Sequence, residues 1–375
     1  MNNNDQAKVS NKSGRFIAVS SCLGITLVLL GVAFWLASFG FRPLKQSTNE
    51  PKKAQTIEVR RGETPTVISK RVLEVGVIDN ERLFYWLGRI TRKWGKIKTG
   101  EYELTTEMSP IEIFDRITSG VSVAHPITIR EGENIYELAS ELEEKGFGKK
   151  EQFLALCRNP EFIKGVSLPE VFHSTKISNL EGFLFPDTYN LNRTMILEDV
   201  IRLMVKKFNT VWGKDWSTKA AKLGLNPYEI LILASMIEKE TGATRERPQI
   251  SSVFQNRLSK RMRLQSDPTT IYGIFDRYDG NLHKQDLLTP SDYNTYTLPR
   301  LPIGPIGNPG KLAMTAALEP AESKALYFVS QNDGTHHFSE TYEEHLSAVR
   351  KFQLDPKARE GKSWRDLNNK GSNNH

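Results

Sequence analysis

Cysteine is scarce in this sequence: only Cys22 and Cys157 occur in 375 residues. Cys22 lies within an apolar N-terminal segment, so the two thiols are not expected to pair, and neither belongs to a spacing typical of a metal site. A disulfide scaffold is therefore excluded, and the sequence predicts neither a metal nor a cofactor. The chain is long enough to fold on a hydrophobic core without such cross-links.

Repeated long hydrophobic runs and a strong excess of one charge are also absent. Hydrophobic residues make up 38% of the chain and charged residues 25%, which is typical of a globular protein rather than a disordered or multi-span membrane protein. The net charge of +7 fits nucleic acid, an acidic polymer or an acidic lipid surface as partner. Because the charged residues are scattered, it fits an ordinary solvated surface equally well.

One apolar run stands out near the N-terminus. Residues 16–41 contain no charged side chain, and at about 1.5 Å per residue a helix of this length spans a hydrocarbon core of roughly 30 Å. We therefore predict a transmembrane helix over 16–41, between a cytoplasmic tail (1–15) and a linker (42–55). Basic residues flank both ends of the run, so the charge bias for an N-in orientation is weak.

A short motif occurs twice after the linker, at 59–64 and at 129–134. Each copy predicts a strand, a turn at a glycine, and an amphipathic helix that ends at another glycine. Gly62 and Gly132 indicate turns with positive φ, which glycine adopts at little cost. Such units resemble LysM-like modules, which bind amino-sugar polymers; a small α+β spacer without a ligand is the open alternative. We predict that both copies belong to one membrane-proximal subdomain, 56–150.

The region after Asn226 predicts a buried helix that carries two carboxylates in its last turn. Asn226 is a suitable cap, Pro227 fits the first turn, and Gly242 fits the end of the helix. The residues between them are almost all apolar, which is typical of a helix that is buried on every side.

Helical periodicity separates the two carboxylates. Ile237 and Met236 lie three and four positions before Glu240, so Glu240 continues an apolar stripe, whereas Glu238 follows a serine and an alanine. A carboxyl group on an apolar stripe loses hydration, which raises its pKa and suits it to act as a general acid. The alternative is a surface glutamate at the helix end that pairs with a neighbouring lysine or arginine.

Many motifs along the chain, in order, resemble those of one family. They occupy residues 181–189, 234–241, 246–247, 252–258, 262–269, 271–273, 293–296, 301–306, 308–310 and 327–329. Together they resemble the YceG-like (MltG-type) family of endolytic murein transglycosylases. The resemblance extends from the apolar run to about residue 350.

The resemblance implies an α+β fold. The LysM-like α+β subdomain is followed by a mainly helical catalytic domain with some β structure, 151–352, related to the lysozyme-like transglycosylases. Those enzymes carry a glutamate followed by serine or threonine after an apolar helix, and Glu240 followed by Thr241 matches that pair. The last residues, 353–375, are charged and rich in asparagine and are expected to form a flexible tail.

The family reaction implies one carboxylate in two roles. Glu240 would protonate the oxygen of the β-1,4 bond between N-acetylmuramic acid (MurNAc) and N-acetylglucosamine (GlcNAc), and would then act as base while a 1,6-anhydro ring closes on MurNAc. A muramidase, which uses water instead, needs a second acid, and Asp267 is the candidate. We expect Asp267 rather to cap the helix that Pro268 begins. A non-catalytic, membrane-anchored glycan-binding scaffold is the third alternative.

Other polar residues in these motifs are expected to hold the sugars. The candidates for substrate binding are Thr241, Gln265, Tyr293, Asn294 and Tyr296. The expected partners are peptidoglycan strands and the cytoplasmic (inner) membrane through one helix, with peptidoglycan synthases or cell-division proteins as an open addition and no nucleic acid. The catalytic domain is expected in the periplasm or extracytoplasmic space, where it would end the elongation of nascent strands.

Overall fold

The structure is a computed structural model that describes residues 26–27, 30–44, 54–240 and 242–355. Its contacts divide the chain into two compact units. Unit 1 comprises 1–125 and 190–195, and unit 2 comprises 126–189 and 196–375. The secondary structure is mixed, with many helices and small two-stranded sheets. This confirms the predicted α+β class.

Unit 1 is a small α+β unit. Strand β1 pairs antiparallel with β2, and Ile57 lies opposite Tyr102. Both residues belong to a buried core that also contains the stacked rings of Phe84 and Phe114, with centroids 4.2 Å apart. The elements of this unit are β1 (Gln55–Val59), α1 (Pro65–Glu74), α2 (Glu81–Ile90), β2 (Gly100–Leu104) and α3 (Pro110–Ser119).

A helical segment over residues 30–41 precedes these elements in unit 1. Phe39 near its end packs against the core of the unit. Among the residues that the structure describes, no helix has both the length and the apolar character needed to cross a membrane. Much of the predicted transmembrane helix (16–25 and 28–29) lies outside the described residues, as do 1–15, 45–53 of the linker and the tail from 356 onward.

Unit 2 is mainly helical, and helix α9 lies at its centre. It packs against α8, α10, α11 and α13, and its residues from 230 to 237 are all buried. The helices are α4 (Ile135–Glu144), α5 (Lys150–Arg158), α6 (Pro160–Gly165), α7 (Leu197–Val211), α8 (Trp216–Lys222), α9 (Pro227–Glu240), α10 (Arg247–Ser259), α11 (Asp267–Gly273), α12 (Lys284–Leu288), α13 (Lys311–Leu318) and α14 (Tyr342–Val349).

Two further strand pairs complete the described structure. One pair joins β3 (His125–Thr128) to β4 (Thr188–Leu191), and the other joins β5 (Tyr327–Ser330) to β6 (His336–Ser339) in antiparallel register. The chain crosses between the two units within β3 and β4.

Both copies of the repeated motif have the predicted local structure. Gly62 and Gly132 have φ of 81° and 83°. Thr64 and Asn134 accept hydrogen bonds from the first turns of α1 and α4.

The domain limits are different from the predicted ones. The first copy belongs to unit 1, but the second copy belongs to unit 2, because its backbone is tied to that unit. Gly132 N donates to the carbonyl of Asn308 at 2.8 Å.

Candidate active site

Helix α9 begins where the sequence predicts, and its described part extends to Glu240. Asn226 accepts hydrogen bonds from the backbone of Tyr228 and Glu229 at 2.9 and 3.0 Å, and the Glu229 carboxylate accepts one from Asn226 N at 2.8 Å. This reciprocal cap fixes the start of the helix. Glu240 lies in the last turn of α9, at the end of its apolar stripe.

Glu240 is held by a serine from a distant segment. The hydroxyl of Ser266 donates to Glu240 Oε1 at 2.6 Å. Ser266 is the residue before α11 and makes no side-chain cap bond to that helix. Its own backbone N–H donates to Thr295 Oγ1 at 2.9 Å, so the serine is positioned by the loop that contains Thr295.

Burial raises the pKa of Glu240 to about 7, because few water molecules reach its carboxyl group. The negative charge of Asp267 also raises it, whereas the Ser266 hydrogen bond and the positive charge of Arg257 lower it. Near neutral pH both forms of Glu240 are therefore populated. This is the condition that a group acting first as acid and then as base requires.

The positive charge comes from a guanidinium that is fixed on several sides. Arg257, on α10, is 8% exposed and donates to the carbonyls of Leu326 at 2.6 Å and Leu264 at 2.8 Å. Its guanidinium carbon lies 5.2 Å from the ring centroid of Tyr327. A cation that is held by backbone carbonyls keeps its place when the charge of Glu240 changes.

Glu240 and Arg257 line one open cleft of about 310 Å³ in unit 2, a volume typical of small-ligand sites. Of the residues predicted from the sequence, Glu240, Gln265 and Tyr296 lie in it. The complete lining is Glu240, Arg257, Leu264, Gln265, Asp267, Tyr296, Phe328 and His345.

The prediction that Asp267 caps the following helix is wrong. Helix α11 begins at Asp267 itself, after Ser266, so the carboxylate cannot serve as the preceding cap. Asp267 Oδ1 instead accepts a hydrogen bond from the Tyr296 hydroxyl at 2.6 Å. The aspartate thus lines the same cleft as Glu240.

Asn294 and Tyr293 are not among the residues that line the cleft. Asn294 is 1% exposed, and its amide nitrogen donates to the carbonyls of Asp286, Leu287 and Thr289. A side chain with these bonds supports the loop rather than offering a contact to a ligand. The ring of Tyr293 packs on another tyrosine, with centroids 4.8 Å apart. The candidate Thr241 lies outside the described residues.

The second carboxylate of α9 has a structural role. Glu238 is buried and accepts hydrogen bonds from the Arg247 guanidinium and from Gly310 N. Both carboxylate oxygens are therefore occupied by other parts of unit 2. This agrees with the helical geometry, which favours Glu240 as the acid.

A further acid, Glu181, also has a raised pKa but does not lie in the cleft. Burial raises its pKa to about 8, and its side chain is fully buried. It accepts hydrogen bonds from Ile135 N at 3.0 Å and from the Tyr272 hydroxyl at 2.9 Å. A group that is enclosed in this way is inaccessible to a polymeric substrate.

Ser266 and Arg257 were not singled out from the sequence as site residues. Both lie inside motifs that the family resemblance uses, 262–269 and 252–258. The family motifs were thus a signal for them, but neither local periodicity nor residue type indicates that they meet Glu240. Asp267 did stand out, because a hydrolase would need a second acid.

The family model of the YceG-like family matches residues 57–351. The chain belongs to the YceG-like family. The match includes most of the described residues of both units and every residue of the cleft described above.

Two curated relatives carry the same name. A Bacillus subtilis (strain 168) protein named endolytic murein transglycosylase is 31% identical over 334 residues, which cover 87% of this chain and 91% of the relative. A Streptococcus pneumoniae (serotype 2, strain D39 / NCTC 7466) protein of the same name is 26% identical, and the alignment covers 78% of this chain but 57% of that longer protein.

A solved structure is similar as well. The crystal structure of a YceG-like protein from Listeria monocytogenes is 32% identical to this YceG-like chain, with a TM-score of 0.54. The match covers 80% of this chain and 100% of that one.

Proposed function

We propose that this YceG-like protein is an endolytic murein transglycosylase, a lyase that cuts peptidoglycan strands. The observation that carries the proposal is Glu240, an acid with a pKa of about 7 in an open cleft, held by Ser266 and facing the charge of Arg257. The Bacillus subtilis relative bears this name at 31% identity along most of both chains. A glycan-binding scaffold has no need for an acid prepared in this way.

The first step is cleavage of the β-1,4 bond between MurNAc and GlcNAc. Protonated Glu240 donates its proton to the bridging oxygen, the bond from that oxygen to C1 of MurNAc breaks, and GlcNAc leaves with a free hydroxyl group. Positive charge develops on the MurNAc ring. The new Glu240 carboxylate is stabilised by the Ser266 hydroxyl and by the nearby Arg257 cation.

The second step closes the ring without water. The Glu240 carboxylate takes the proton of the MurNAc 6-hydroxyl, and the oxygen of that group bonds to C1. The product ends in 1,6-anhydro-MurNAc, and Glu240 regains the proton that it donated. Within the cleft, Gln265 and Tyr296 are the candidates to orient the sugars, since both line it.

Glu240→Gln tests the role of the acid. The variant keeps the size of the side chain but cannot donate and regain a proton, so cleavage of purified sacculi should fall at least a thousandfold while the folded structure persists. Glu322→Gln, at an exposed glutamate of the same unit, is the matched control and should retain full activity. Release of cleavage products by the Glu240 variant at the normal rate would contradict the assignment.

A muramidase is the second candidate, because Asp267 lies in the same cleft as Glu240. A carboxylate there could assist a water molecule instead of the 6-hydroxyl. Mass spectrometry of the products decides between the two reactions. Anhydro ends support the transglycosylase, whereas reducing ends with the mass of one added water support the hydrolase.

The apolar run over 16–41 supports a membrane tether with the N-terminus inside the cell. In this arrangement the cleft faces nascent strands outside the cytoplasmic membrane, and cleavage there would end strand elongation. A protease added to intact spheroplasts should then digest units 1 and 2. Complete protection in intact spheroplasts, with digestion after lysis, would contradict this orientation.

A further inference from the structure

Helix α2 of unit 1 has one buried face and one exposed face that carries large apolar and basic side chains. Phe84 and Leu87 are buried in the core, whereas Trp86 is 55% exposed and Ile90 is 62% exposed. Trp86 and Ile90 are four residues apart and therefore adjacent on the helix surface. Large apolar side chains that are exposed together, rather than singly, indicate a contact surface.

The same exposed face carries positive charge. Arg82 lies four residues before Trp86, and Arg89 lies three residues after it, so both are neighbours of the tryptophan. Both arginines are exposed, and neither forms an ion pair among the residues that the structure describes. Arg92 and Lys96 follow the helix and are exposed as well. We call Arg82, Trp86, Arg89 and Ile90 the outer face of α2.

The position of α2 beside the N-terminal helical segment suggests what this face contacts. Gly40 is buried, and a Cβ atom placed on it would lie 3.2 Å from Leu87 Cδ1 and 3.3 Å from Ile111 Cδ1. The last turn of the apolar run therefore lies directly against α2. If the run enters a bilayer, the residue that touches its end lies at the depth of the lipid headgroups.

We infer that the outer face of α2 rests on the surface of a bilayer that contains anionic phospholipids. Trp86 and Ile90 enter the headgroup region, where amphipathic rings are favoured, and Arg82 and Arg89 bind lipid phosphates. This inference rests on the membrane tether of the proposed function. The contact holds unit 1 flat against the membrane instead of leaving it free to swing on its tether.

A cavity beside α2 agrees with a position of this helix at the depth of the lipid headgroups. A cavity of about 530 Å³ lies between the N-terminal helical segment and the turn before α2, and its lining includes Trp35, Phe39 and Leu44. Trp35 and Leu44 are exposed. Exposed apolar side chains therefore occur on the N-terminal segment beside α2 as well as on the outer face of α2, as expected where a chain leaves a bilayer.

The test uses the full chain in vesicles, with an environment-sensitive fluorophore on a single accessible cysteine. Cys22→Ser removes the thiol in the apolar run, and Cys157 is buried. Ile90→Cys places the probe on the outer face, and Glu103→Cys places it on an exposed position of β2 as the matched control. The vesicles contain phosphatidylcholine with or without phosphatidylglycerol, and quencher lipids carry the label at headgroup depth.

In vesicles with phosphatidylglycerol, the probe at position 90 should be quenched several-fold more than the probe at position 103. Adding Arg82→Glu and Arg89→Glu should abolish this difference, while the protein still floats with the vesicles because the tether is intact. A protein that floats but shows equal quenching at both positions overturns the contact alone. A protein that does not float overturns the tether and the contact together.

Two further outcomes test the kind of partner. Equal quenching at position 90 in vesicles with and without phosphatidylglycerol would overturn the role of the arginines. A response at position 90 to soluble murein fragments, without vesicles and as large as the response to lipid, would overturn the lipid surface in favour of an anionic glycan.

Discussion

At the scale of single residues, the acid of this cleft depends on opposing effects. Burial raises the pKa of Glu240, and the charge of Asp267 adds to that effect, whereas the Ser266 hydroxyl and Arg257 oppose it. Burial is the largest of these effects, and Ser266 opposes it with a single hydrogen bond. The result is an acid poised near neutral pH.

The pH dependence of cleavage follows from this pKa. The first step needs the protonated form of Glu240, so kcat/KM should fall about tenfold per pH unit above a pH of about 7. Ser266→Ala removes a donor that stabilises the charged form, so the pKa of Glu240 rises further and the alkaline limb moves to higher pH. Rates of sacculus cleavage, measured from pH 5 to about pH 9, check both statements.

The same substitution should also lower the maximal rate. The carboxylate that forms after the first step loses a charge-assisted hydrogen bond, so kcat should fall by about ten- to a hundredfold, equivalent to about 1.5–3 kcal/mol. Ser259→Ala, at an exposed position whose hydroxyl bonds only to its own helix, is the control and should leave the profile unchanged. A profile of the Ser266 variant identical to that of the unmodified protein would show that Ser266 does not influence the acid.

At the scale of elements, the cleft depends on the loop before Tyr296. Asn294 joins that loop to the end of α12 through the carbonyls of Asp286, Leu287 and Thr289, while its oxygen accepts from Tyr296 N at 2.9 Å. The asparagine thus acts on the cleft through the backbone of Tyr296. Its role is to position, not to bind.

Asn294→Ala should therefore destabilise unit 2. Buried carbonyls would lose their donor, which costs about 2–3 kcal/mol in the free energy of unfolding. Chemical denaturation measures this loss, and Asn281→Ala, at an exposed asparagine, should change the free energy by less than about 0.5 kcal/mol. A fully stable Asn294 variant that binds murein more weakly would instead favour the sequence-based interpretation of Asn294 as a substrate contact.

Local sequence patterns predicted the helix that carries the acid, but they did not predict which distant residues contact it. The cap at Asn226 and the apolar stripe that ends at Glu240 depend on residues within a few positions, so the sequence shows them directly. The bond between Ser266 and Glu240 joins residues far apart in the chain, and no local pattern encodes it. The burial of Asn294 was missed for a related reason: a polar stretch indicates exposure unless its side chains bond to buried backbone carbonyls elsewhere.

At the scale of the whole molecule, the repeated motif shows what sequence similarity can and cannot predict. Its two copies have the same turn and cap because glycine and a capping residue act locally. Their assignment to different units depends on distant partners, such as the carbonyl of Asn308 for Gly132. The motif alone therefore could not predict which unit each copy belongs to.

The assignment of the two copies to different units can be tested by replacing each turn glycine with alanine. At Gly62 a Cβ atom would meet nothing within 4 Å, so Gly62→Ala costs only the strain of a positive φ, about 1 kcal/mol. At Gly132 a Cβ atom would also lie 3.4 Å from Cγ of Glu238, in the helix that carries Glu240. This is an ordinary van der Waals distance, so Gly132→Ala should cost a similar amount, about 1 kcal/mol, but in unit 2.

Hydrogen exchange measures where each change acts. Gly62→Ala should speed amide exchange in α1 by about fivefold and leave that of α9 unchanged, because the lost stability belongs to unit 1. Gly132→Ala should speed exchange in α4 and α9 and leave that of α1 unchanged, because the lost stability belongs to unit 2. If each substitution accelerated exchange equally in α1 and α9, the two units would unfold as one, and the copies would share a single cooperative domain after all.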